Sequence, residues 1–426
     1  MEIVYGAGWD AQRRVFVGVV PFAEAQRRDA AGEPYSMGVV VGDRMVAVLD
    51  RHGWYVVLWL FDEQCRRTLM ADFRELEPGR IMVRRVARWL HREGEPDGGH
   101  GVHRYTLTID AAKAIVHGAY STFYSGHRIN GGSIDVQRLW QPKPVLGDPS
   151  MLLPTIPIEL VNPELLGQWN QPPIPHHEHV QPLADAPADA PVDPHVLAAL
   201  FDHTPAEPSW RAPVAYPPAD FDAWFVDGAA VTMDRDGRTG RLRLDTVGSL
   251  LMPTGRWMAA EPGWSADRFN PFTVTVPPGT YPVTLVFVDW DNGWHDGAAA
   301  MRLDLDKGPV ATWEMAVHQG EHVRLLDEDR LYGFSVDGGL ASLFDEAAFP
   351  VIEWLSDDDN DDAYDWISTG DWKNLTVPGT DANVIAVVTA RGDGRYPTWI
   401  GRTTDGQVTS IVVDLIQLRY ATIQPH

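Results

Sequence analysis

The sequence contains one cysteine and no long apolar run. Of its 426 residues only Cys65 carries a thiol, so no intramolecular disulfide can form and nothing points to an oxidising compartment. No stretch approaches the roughly 18–20 apolar residues that a membrane-spanning helix needs. The N-terminus, Met1–Tyr5, lacks the basic start and apolar core of a secretory signal. We therefore expect a soluble, cytoplasmic protein that does not bind membranes.

The sequence also lacks the short motifs of the commonest enzyme classes. It has no P-loop, no Rossmann glycine fingerprint, no nucleophile elbow and no paired C-x-x-C. Such motifs position phosphates, dinucleotides, acyl intermediates and metal ions or redox disulfides. Whether the protein is an enzyme stays open, but their absence favours a non-enzymatic role, and we expect no cofactor and no metal ion.

Charge is distributed unevenly along the chain, whose formal net charge is −24. Residues 1–145 carry 19 basic and 17 acidic side chains, whereas residues 146–426 carry 16 basic and 42 acidic ones. An acidic surface repels phosphate backbones and anionic membranes, so we expect no nucleic-acid binding. Two interpretations of the acidic charge stay open: it serves solubility, or it forms a surface complementary to a basic partner.

The pattern of residues 1–145 predicts a small α+β domain with an antiparallel sheet. Apolar and β-branched segments run from Val39 to Ile109 and are separated by turn signals such as Gly42-Asp43. Good helix formers from Phe22 to Asp29 predict one helix, which stops at Ala30-Ala31-Gly32.

Residues 146–220 are rich in proline and predict a linker. Prolines recur every few residues, as in Gln171-Pro172-Pro173-Ile174-Pro175. Proline fixes φ and removes a backbone donor, so this composition favours an extended spacer over a packed sheet. Only His195–His203 has the pattern of a helix.

Residues 221–426 predict an acidic β-rich domain. The expected strands are Arg241–Asp245, Phe272–Val276, Tyr281–Val288, Ala299–Leu305, Val310–Val317, Val384–Ala390 and Val408–Leu415. Asp405-Gly406 predicts a hairpin because both central positions of its turn need φ > 0, and a short helix is expected near Leu340–Ala348. With no helices long enough to cover a parallel sheet, the expected fold class is α+β, mainly antiparallel β, with two β-rich domains joined by a proline-rich linker.

Five short segments between Gly248 and Arg402 resemble a known bacterial family. They are Gly248–Gly255, Val276–Val283, Trp313–Ala316, Tyr332–Gly339 and Gly392–Arg402. The order and spacing of these segments give the C-terminal part its resemblance to the domain-of-unknown-function 4241 family. Residues 1–145 resemble no family. One departure is Glu261-Pro262, where the family pattern has aspartate before the proline.

The resemblance implies a domain identity without a mechanism, since the family has no established reaction, ligand or catalytic residue. Segments such as Val276–Val283 and Gly392–Arg402 also have the composition of turns. An aromatic residue that follows such a turn can pack across a sheet.

The main candidate site is the loop from Asp289 to Asp296. Its carboxylates, histidine and aromatic residues suit acid–base catalysis or sugar stacking, and a hairpin tip often has the same composition. We expect Trp290 and Trp294 to be exposed and to contact a ligand or partner. A large apolar side chain that is exposed with nothing to cover it costs free energy. The candidate ligand- or partner-binding residues are Asp289, Trp290, Asp291, Trp294, His295, Asp296, Asp393, Arg395, Tyr396 and Trp399.

Three clusters have residues that bind metals, and we expect none of them to be a metal site. His318-Gln319-Gly320-Glu321-His322 fits the H-x-x-E-H pattern of inverted zinc peptidases, but that pattern needs a helix, which Gly320 and the preceding strand disfavour. His176–His179 lies in the linker, where nothing preorganises ligands. Asp357–Asp362 lacks the glycine and glutamate that an EF-hand requires at its sixth and twelfth positions.

Two functions remain open. The preferred one is a non-enzymatic protein-binding or immunity-type module, whose acidic surface, including Asp357–Asp362, meets a basic partner while Trp290 and Trp294 make the apolar contacts. The alternative is a hydrolase that uses the carboxylates and histidine of Asp289–Asp296, with or without a metal ion.

Overall fold

The protein is described by a computed structural model that covers residues 2–146, 153–157, 201–202 and 211–424, apart from 11–12, 14, 43, 123–124, 130–131, 265–268, 307, 356–369, 377–378 and 380. It divides into two compact units, Met1–Pro213 and Val214–His426. Both are mainly antiparallel β, which confirms the expected fold class. Most of the linker expected over 146–220 lies outside the described residues. Of the helix expected over His195–His203 only Phe201–Asp202 is described, and it is a short strand because it pairs with the N-terminal sheet, so the helix is wrong there. Within the described ranges, no helix combines the length and apolar composition needed to cross a bilayer.

The N-terminal unit is built on one twelve-stranded sheet. The strands are β1 (Glu2–Asp10), β2 (Val15–Val19), β3 (Tyr35–Val41), β4 (Arg44–His52), β5 (Tyr55–Phe61), β6 (Arg67–Glu77), β7 (Arg80–Leu90), β8 (His103–Asp110), β9 (Ile115–Ser121), β10 (Gly126–Ile129), β11 (Trp140–Pro142) and β12 (Phe201–Asp202). Their order is β10-β9-β8-β7-β6-β5-β4-β3-β1-β2-β12, with β11 on β7 and only β12 parallel to its neighbour. Strands β3 to β10 therefore follow one another as antiparallel neighbours.

One helix, α1 (Phe22–Ala31), connects β2 to β3 in this unit. It confirms the predicted helix and ends at Gly32, whose φ of 69° is readily adopted by glycine. Every residue of β3 is buried, so both faces of the sheet are covered there. This is why its apolar residues run without the alternation of a half-exposed strand.

A row of four polar residues and one valine crosses the buried part of the sheet. The cross-strand partners Ser36, Asp50, Val57, Asp72 and Arg85 follow one another from β3 to β7. Paired residues of antiparallel strands project from the same face. Asp50 and Asp72 are therefore buried carboxylates on one face of the sheet, and each needs partners there.

Asp72 is stabilised by a buried arginine. The Arg74 guanidinium donates to both carboxylate oxygens at 2.7 and 2.8 Å and lies 4.2 Å from the centre of the Tyr55 ring. Both charges are almost completely removed from solvent. A bidentate pair is the geometry that best compensates such desolvation.

Asp50 has only neutral donors as partners. Its carboxylate accepts hydrogen bonds from Ser36 Oγ and, at 2.9 Å, from Trp59 Nε1. Burial raises its pKa to about 6, and the two hydrogen bonds only partly oppose this.

The described residues of the C-terminal unit form three sheets. Its strands are β13 (Ala230–Met233), β14 (Thr239–Met252), β15 (Trp257–Ala260), β16 (Gly279–Trp290), β17 (Ala300–Asp304), β18 (Thr312–Met315), β19 (Phe334–Val336), β20 (Leu340–Asp345), β21 (Trp372–Leu375), β22 (Val384–Val388), β23 (Gly394–Tyr396), β24 (Thr398–Arg402), β25 (Val408–Asp414) and β26 (Ala421–Gln424). Eight strands form a sheet in the order β18-β24-β25-β17-β16-β14-β13-β26, four form β15-β20-β22-β21, and β19 pairs with β23. The helices are α2 (Phe221–Trp224) and α3 (Phe349–Leu355).

Alternation along the strands separates three cores in this unit. On β16, Leu285 and Phe287 belong to the core shared by the eight- and four-stranded sheets, whereas Val286 and Val288 face a second core with α2. The other face of the four-stranded sheet packs on α3. The layers are therefore α2, large sheet, small sheet and α3.

Most of the predicted strands and the hairpin at Asp405-Gly406 are confirmed in this unit. The expected turn type is wrong, since Gly406 has a φ of 86° but Asp405 does not have a positive φ. Two segments differ. Leu340–Asp345, expected to begin a helix, is the fully buried strand β20, because it lies between β15 and β22 and tertiary pairing overrides local propensity. Phe272–Val276 is not a strand, since its N–H groups bond to Trp257, Val317 and Gly255 in turn.

We predict that Asp50→Asn removes a pH-dependent part of the stability. The folded pKa of Asp50 lies above its ordinary value of 3.8, so its stabilisation is complete below about pH 4 and is lost as the pH rises through about 6. Asparagine can donate to Ser36 and accept from Trp59 at every pH. In guanidinium unfolding, the variant should match the parent protein near pH 4 and exceed it at pH 7 by up to about 3 kcal/mol. Identical pH profiles for the two proteins would contradict this assignment.

Candidate functional site

The loop Asp289–Asp296 is the tip of the hairpin between β16 and β17. Trp290 is 3% exposed and belongs to the core beside α2, whereas Trp294 is 68% exposed. The expectation that both tryptophans are exposed anchors is therefore wrong for Trp290. The turn is closed by the hydrogen bond from Trp290 N to Trp294 O at 2.9 Å.

The polar side chains of this loop bind other parts of the unit. Asp296 accepts hydrogen bonds from Trp290 Nε1 at 3.0 Å and Gln417 Nε2 at 2.7 Å. His295 Nε2 lies 3.0 Å from an Asp371 carboxylate oxygen. These contacts hold the tip of the hairpin against the rest of the unit. They account for the polar and aromatic residues of the loop without a bound ligand.

The two remaining carboxylates of the loop also have partners. Asp289 forms an ion pair with Arg243 at 3.2 Å, and Asp291 accepts a hydrogen bond from the Thr239 hydroxyl. The hairpin does not gather the carboxylates and the histidine around one point.

The second set of predicted residues is divided between core and surface. Tyr396 and Trp399 are buried, and the Tyr396 hydroxyl donates to the Gly392 carbonyl at 2.7 Å. Asp393 and Arg395 are exposed, and Arg395 Nε donates to the Gly333 carbonyl at 3.1 Å. The two aromatic residues thus have core positions and are not available to a partner.

The His318–His322 segment is a turn, not a helix. The Glu321 carboxylate accepts from His318 N at 2.8 Å, and His322 Nδ1 accepts from Arg324 N at 3.1 Å. Among the residues described, no group of three or more His, Cys, Asp or Glu side chains is placed to hold a metal ion. The other two clusters, His176–His179 and Asp357–Asp362, lie outside the described residues.

A buried ion pair organises the face of the large sheet that packs on α2. Arg419 Nε donates to Asp414 Oδ2 at 2.7 Å, and Ile416 N donates to Oδ1 at 2.8 Å. Burial raises the pKa of Asp414, and the charge and hydrogen bond of Arg419 oppose that rise. Asp414 needs Arg419 because no solvent reaches the carboxylate.

Aromatic rings surround the Arg419 guanidinium. The ring centres of Tyr216, Trp399 and Phe221 lie 4.3, 5.4 and 5.6 Å from it, and Nη1 donates to the Pro217 carbonyl at 2.6 Å. Cation–π contacts are strongest where water is excluded. This cage holds α2 and the preceding segment against the sheet.

Beside the cage lies a groove of about 840 Å³, here named the acidic groove. It is lined by Phe221, Asp222 and Phe225, by Thr280–Pro282, by Arg302 and Asp304–Asp306, by Gly308–Val310 and Trp313, and by Thr409 and Ser410. Segments of α2, β16, β17, β18 and β25 therefore meet here, although they are far apart in the sequence.

The groove floor is one row of residues across four strands. Trp313, Gly401, Ser410 and Asp304 are successive cross-strand partners on β18, β24, β25 and β17. A Cβ atom on Gly401 would lie 2.9 Å from the Trp313 ring and 2.9 Å from Val310 Cγ2. The absence of a side chain at Gly401 is thus what lets Trp313 lie flat over the sheet.

The walls combine aromatic rings with charges. Trp313 packs edge-on against Phe221 with ring centres 4.8 Å apart. The Arg302 guanidinium lies 4.2 Å from the centre of the Phe225 ring and forms an ion pair with Asp304 at 2.9 Å. Asp222 and Asp306 add two further carboxylates to the lining.

Ser410 has an unusual environment at the bottom of the groove. The residue is 5% exposed, and its hydroxyl has no hydrogen-bond partner among the described residues. Its neighbour Thr409, by contrast, donates to the Gly308 carbonyl at 2.9 Å and thereby holds one rim. A buried hydroxyl without a partner costs free energy, so it marks a place where a ligand or water is expected.

The comparisons with known proteins found a match within the C-terminal unit. Residues 250–413 match the family model "Protein of unknown function (DUF4241)". The resemblance seen in the sequence is thereby confirmed for the C-terminal part. No curated protein and no solved structure matches the chain. The DUF4241 segment contains most of the groove lining, whereas Phe221, Asp222 and Phe225 precede it.

Within the matched segment, Glu261 has a structural role. The buried Glu261 carboxylate accepts from Asp337 N at 2.9 Å, Gly338 N at 2.5 Å and Trp264 Nε1 at 2.7 Å. Charge-assisted bonds of this kind fix the turn between β19 and β20.

The acidic groove was not identified from the sequence. One signal for it exists in the predicted strand Ala299–Leu305, where Arg302 and Asp304 alternate with Met301 and Leu303. Charged residues that alternate with buried ones mark a polar sheet face. Nothing in the sequence pairs that face with Ser410 or Trp313.

We predict that Arg419→Met strongly destabilises the C-terminal unit. It leaves the Asp414 carboxylate buried without its cation, which costs about 3–5 kcal/mol. Arg391→Met is the matched control, because Arg391 is exposed and its guanidinium lies 5.3 Å from the centre of the exposed Tyr420 ring. Guanidinium unfolding should show a large loss for the first variant and under about 1 kcal/mol for the second. Equal, small losses would show that the ion pair is dispensable.

Proposed function

We propose that the C-terminal unit binds a basic segment of a partner protein, and that an arginine or lysine side chain of this segment enters the acidic groove. The observation that carries the proposal is the buried Ser410 hydroxyl without a partner among the described residues, at the bottom of a groove whose lining includes three carboxylates and four aromatic rings. Ser410 Oγ can accept a hydrogen bond from a guanidinium or ammonium group.

The charge of the lining favours a cation. Three carboxylates, Asp222, Asp304 and Asp306, line the groove together with a single guanidinium, Arg302. Asp304 is already paired with Arg302. The lining therefore has a formal excess of two negative charges, which an incoming cation reduces.

The aromatic walls suit the same ligand. The Arg302 guanidinium lies 4.2 Å from the centre of the Phe225 ring, so this wall already contacts a planar cation. Trp313 offers a second ring, and tryptophan gives the strongest cation–π contacts. A cationic side chain can thus contact carboxylates, rings and the Ser410 hydroxyl together.

The rest of the chain supports a basic partner in a different way. Residues 146–426 carry 42 acidic and 16 basic side chains. Such a surface accelerates the approach of a basic protein without fixing where it docks, since exposed charges act over about 8 Å at physiological salt. The groove supplies the specific contact that the general charge cannot.

The test is calorimetric titration with the capped peptide Gly-Arg-Gly-Arg-Gly, its lysine counterpart, and a glutamine counterpart without charge. We expect the arginine and lysine peptides to bind and the glutamine peptide not to bind. Asp304→Asn and Asp222→Asn should each weaken binding about tenfold, the usual value of one charged hydrogen bond.

The control is Asp393→Asn, which removes the same charge from an exposed position outside the groove lining. It should leave the affinity for the arginine peptide nearly unchanged. If Asp393→Asn weakens binding as much as Asp304→Asn does, or if the glutamine peptide binds equally well, the groove is not a cation site.

A further inference from the structure

A second, smaller pocket lies beside β15, within the segment that matches the DUF4241 model. We call it the β15 pocket. Its volume is about 290 Å³, and its lining comes from β15, from the segment that follows β15, from His318 and from the start of β19. Pockets that hold ligands usually measure roughly 300–1,000 Å³, so this one has room only for a small ligand.

One wall of the β15 pocket carries a buried carboxylate. Glu261 is 7% exposed and accepts hydrogen bonds from Asp337 N, Gly338 N and Trp264 Nε1. All three donors are neutral, and the described residues of the lining include no lysine or arginine. Neutral donors stabilise a carboxylate without cancelling its charge, so Glu261 attracts a cation into the pocket.

Three aromatic side chains line the same space, namely Trp264, Phe269 and Phe334. The hydrogen bond of its Nε1 holds Trp264 beside the carboxylate, and the side chain is 37% exposed. Phe269 packs edge-on against Phe344 with ring centres 5.7 Å apart, and Phe334 lies 6.0 Å from the Tyr396 ring. The negative faces of aromatic rings attract a cation, and clusters of such rings recognise quaternary ammonium groups.

We infer that the β15 pocket binds the trimethylammonium group of a small molecule. An ionised carboxylate has about four lone-pair positions, and N–H donors already occupy three of those of Glu261. Glu261 therefore offers charge but little acceptor capacity, which suits a cation without N–H groups. A primary ammonium group has three donors to satisfy and loses hydration on entry. The exposed Asn270 and Ser335 can bond a hydroxyl on the rest of the molecule.

The probes are choline and two analogues, in calorimetric titrations of the full chain at constant ionic strength. The first analogue, 3,3-dimethylbutan-1-ol, has the shape of choline without the charge, and the second, ethanolamine, has the charge without the methyl groups. We expect choline to bind at least tenfold more tightly than either. The alcohol tests the role of charge without a substitution at Glu261, which would also disturb the turn that this residue holds.

Two substitutions of one residue separate the aromatic contact from a structural role. Trp264→Phe and Trp264→Leu both lose the indole N–H that bonds to Glu261, but only phenylalanine keeps a ring. We expect Trp264→Phe to bind choline within about threefold of the parent protein and Trp264→Leu to bind about tenfold more weakly, as for one cation–π contact. Equal losses in both variants would show a structural role only and overturn the inference.

The control for location is Asp304→Asn, which alters the acidic groove and lies outside the lining of the β15 pocket. It should bind choline as the parent protein does. A loss of choline binding in Asp304→Asn would place choline in the acidic groove and overturn the inference while leaving the proposed function intact. Equal binding of choline and the alcohol, or of choline and ethanolamine, would also overturn it. Tighter binding of a capped trimethyl-lysine peptide than of choline would contradict the assignment to a small molecule.

Discussion

One buried ion pair, Asp414 with Arg419, supports the part of the C-terminal unit that contains the acidic groove. Burying two charges is costly, and the pair is stable because Ile416 N and the Pro217 carbonyl complete its hydrogen bonds while aromatic rings surround the guanidinium. The helix α2 has only four residues and is too short to be stable alone. It is held against the sheet by this cage, and it then supplies one wall of the acidic groove.

The two units stabilise a buried carboxylate in the same way but differ in net charge. In each, a carboxylate is buried against an arginine that also contacts aromatic rings: Asp72 with Arg74, and Asp414 with Arg419. Beside the second, carboxylates outnumber the single Arg302. The division agrees with the charge of the sequence, which is nearly balanced over residues 1–145 and strongly acidic afterwards.

The sequence predicted what local chemistry decides. The helix at Phe22, the Asp405-Gly406 hairpin and most of the strands follow from propensity, turn residues and apolar spacing. It failed where tertiary contacts decide: Leu340–Asp345 is a strand because neighbouring strands bury it. The acidic groove was missed because its parts are separated in the chain and meet only through strand register. Trp290 was placed at the surface because composition alone cannot distinguish a hairpin tip whose tryptophan points into the core from a binding loop.

A basic ligand in the acidic groove must contact Trp313 and not the exposed Trp294 of the hairpin tip. The most direct measurement is the spectrum of the ¹⁵N-labelled tryptophan indoles during titration with the capped arginine peptide, with the two signals assigned through Trp313→Phe and Trp294→Phe. We expect the Trp313 signal to shift progressively while the Trp294 signal stays in place. A shift of Trp294 with Trp313 unmoved would return the binding site to the loop Asp289–Asp296 and contradict the account.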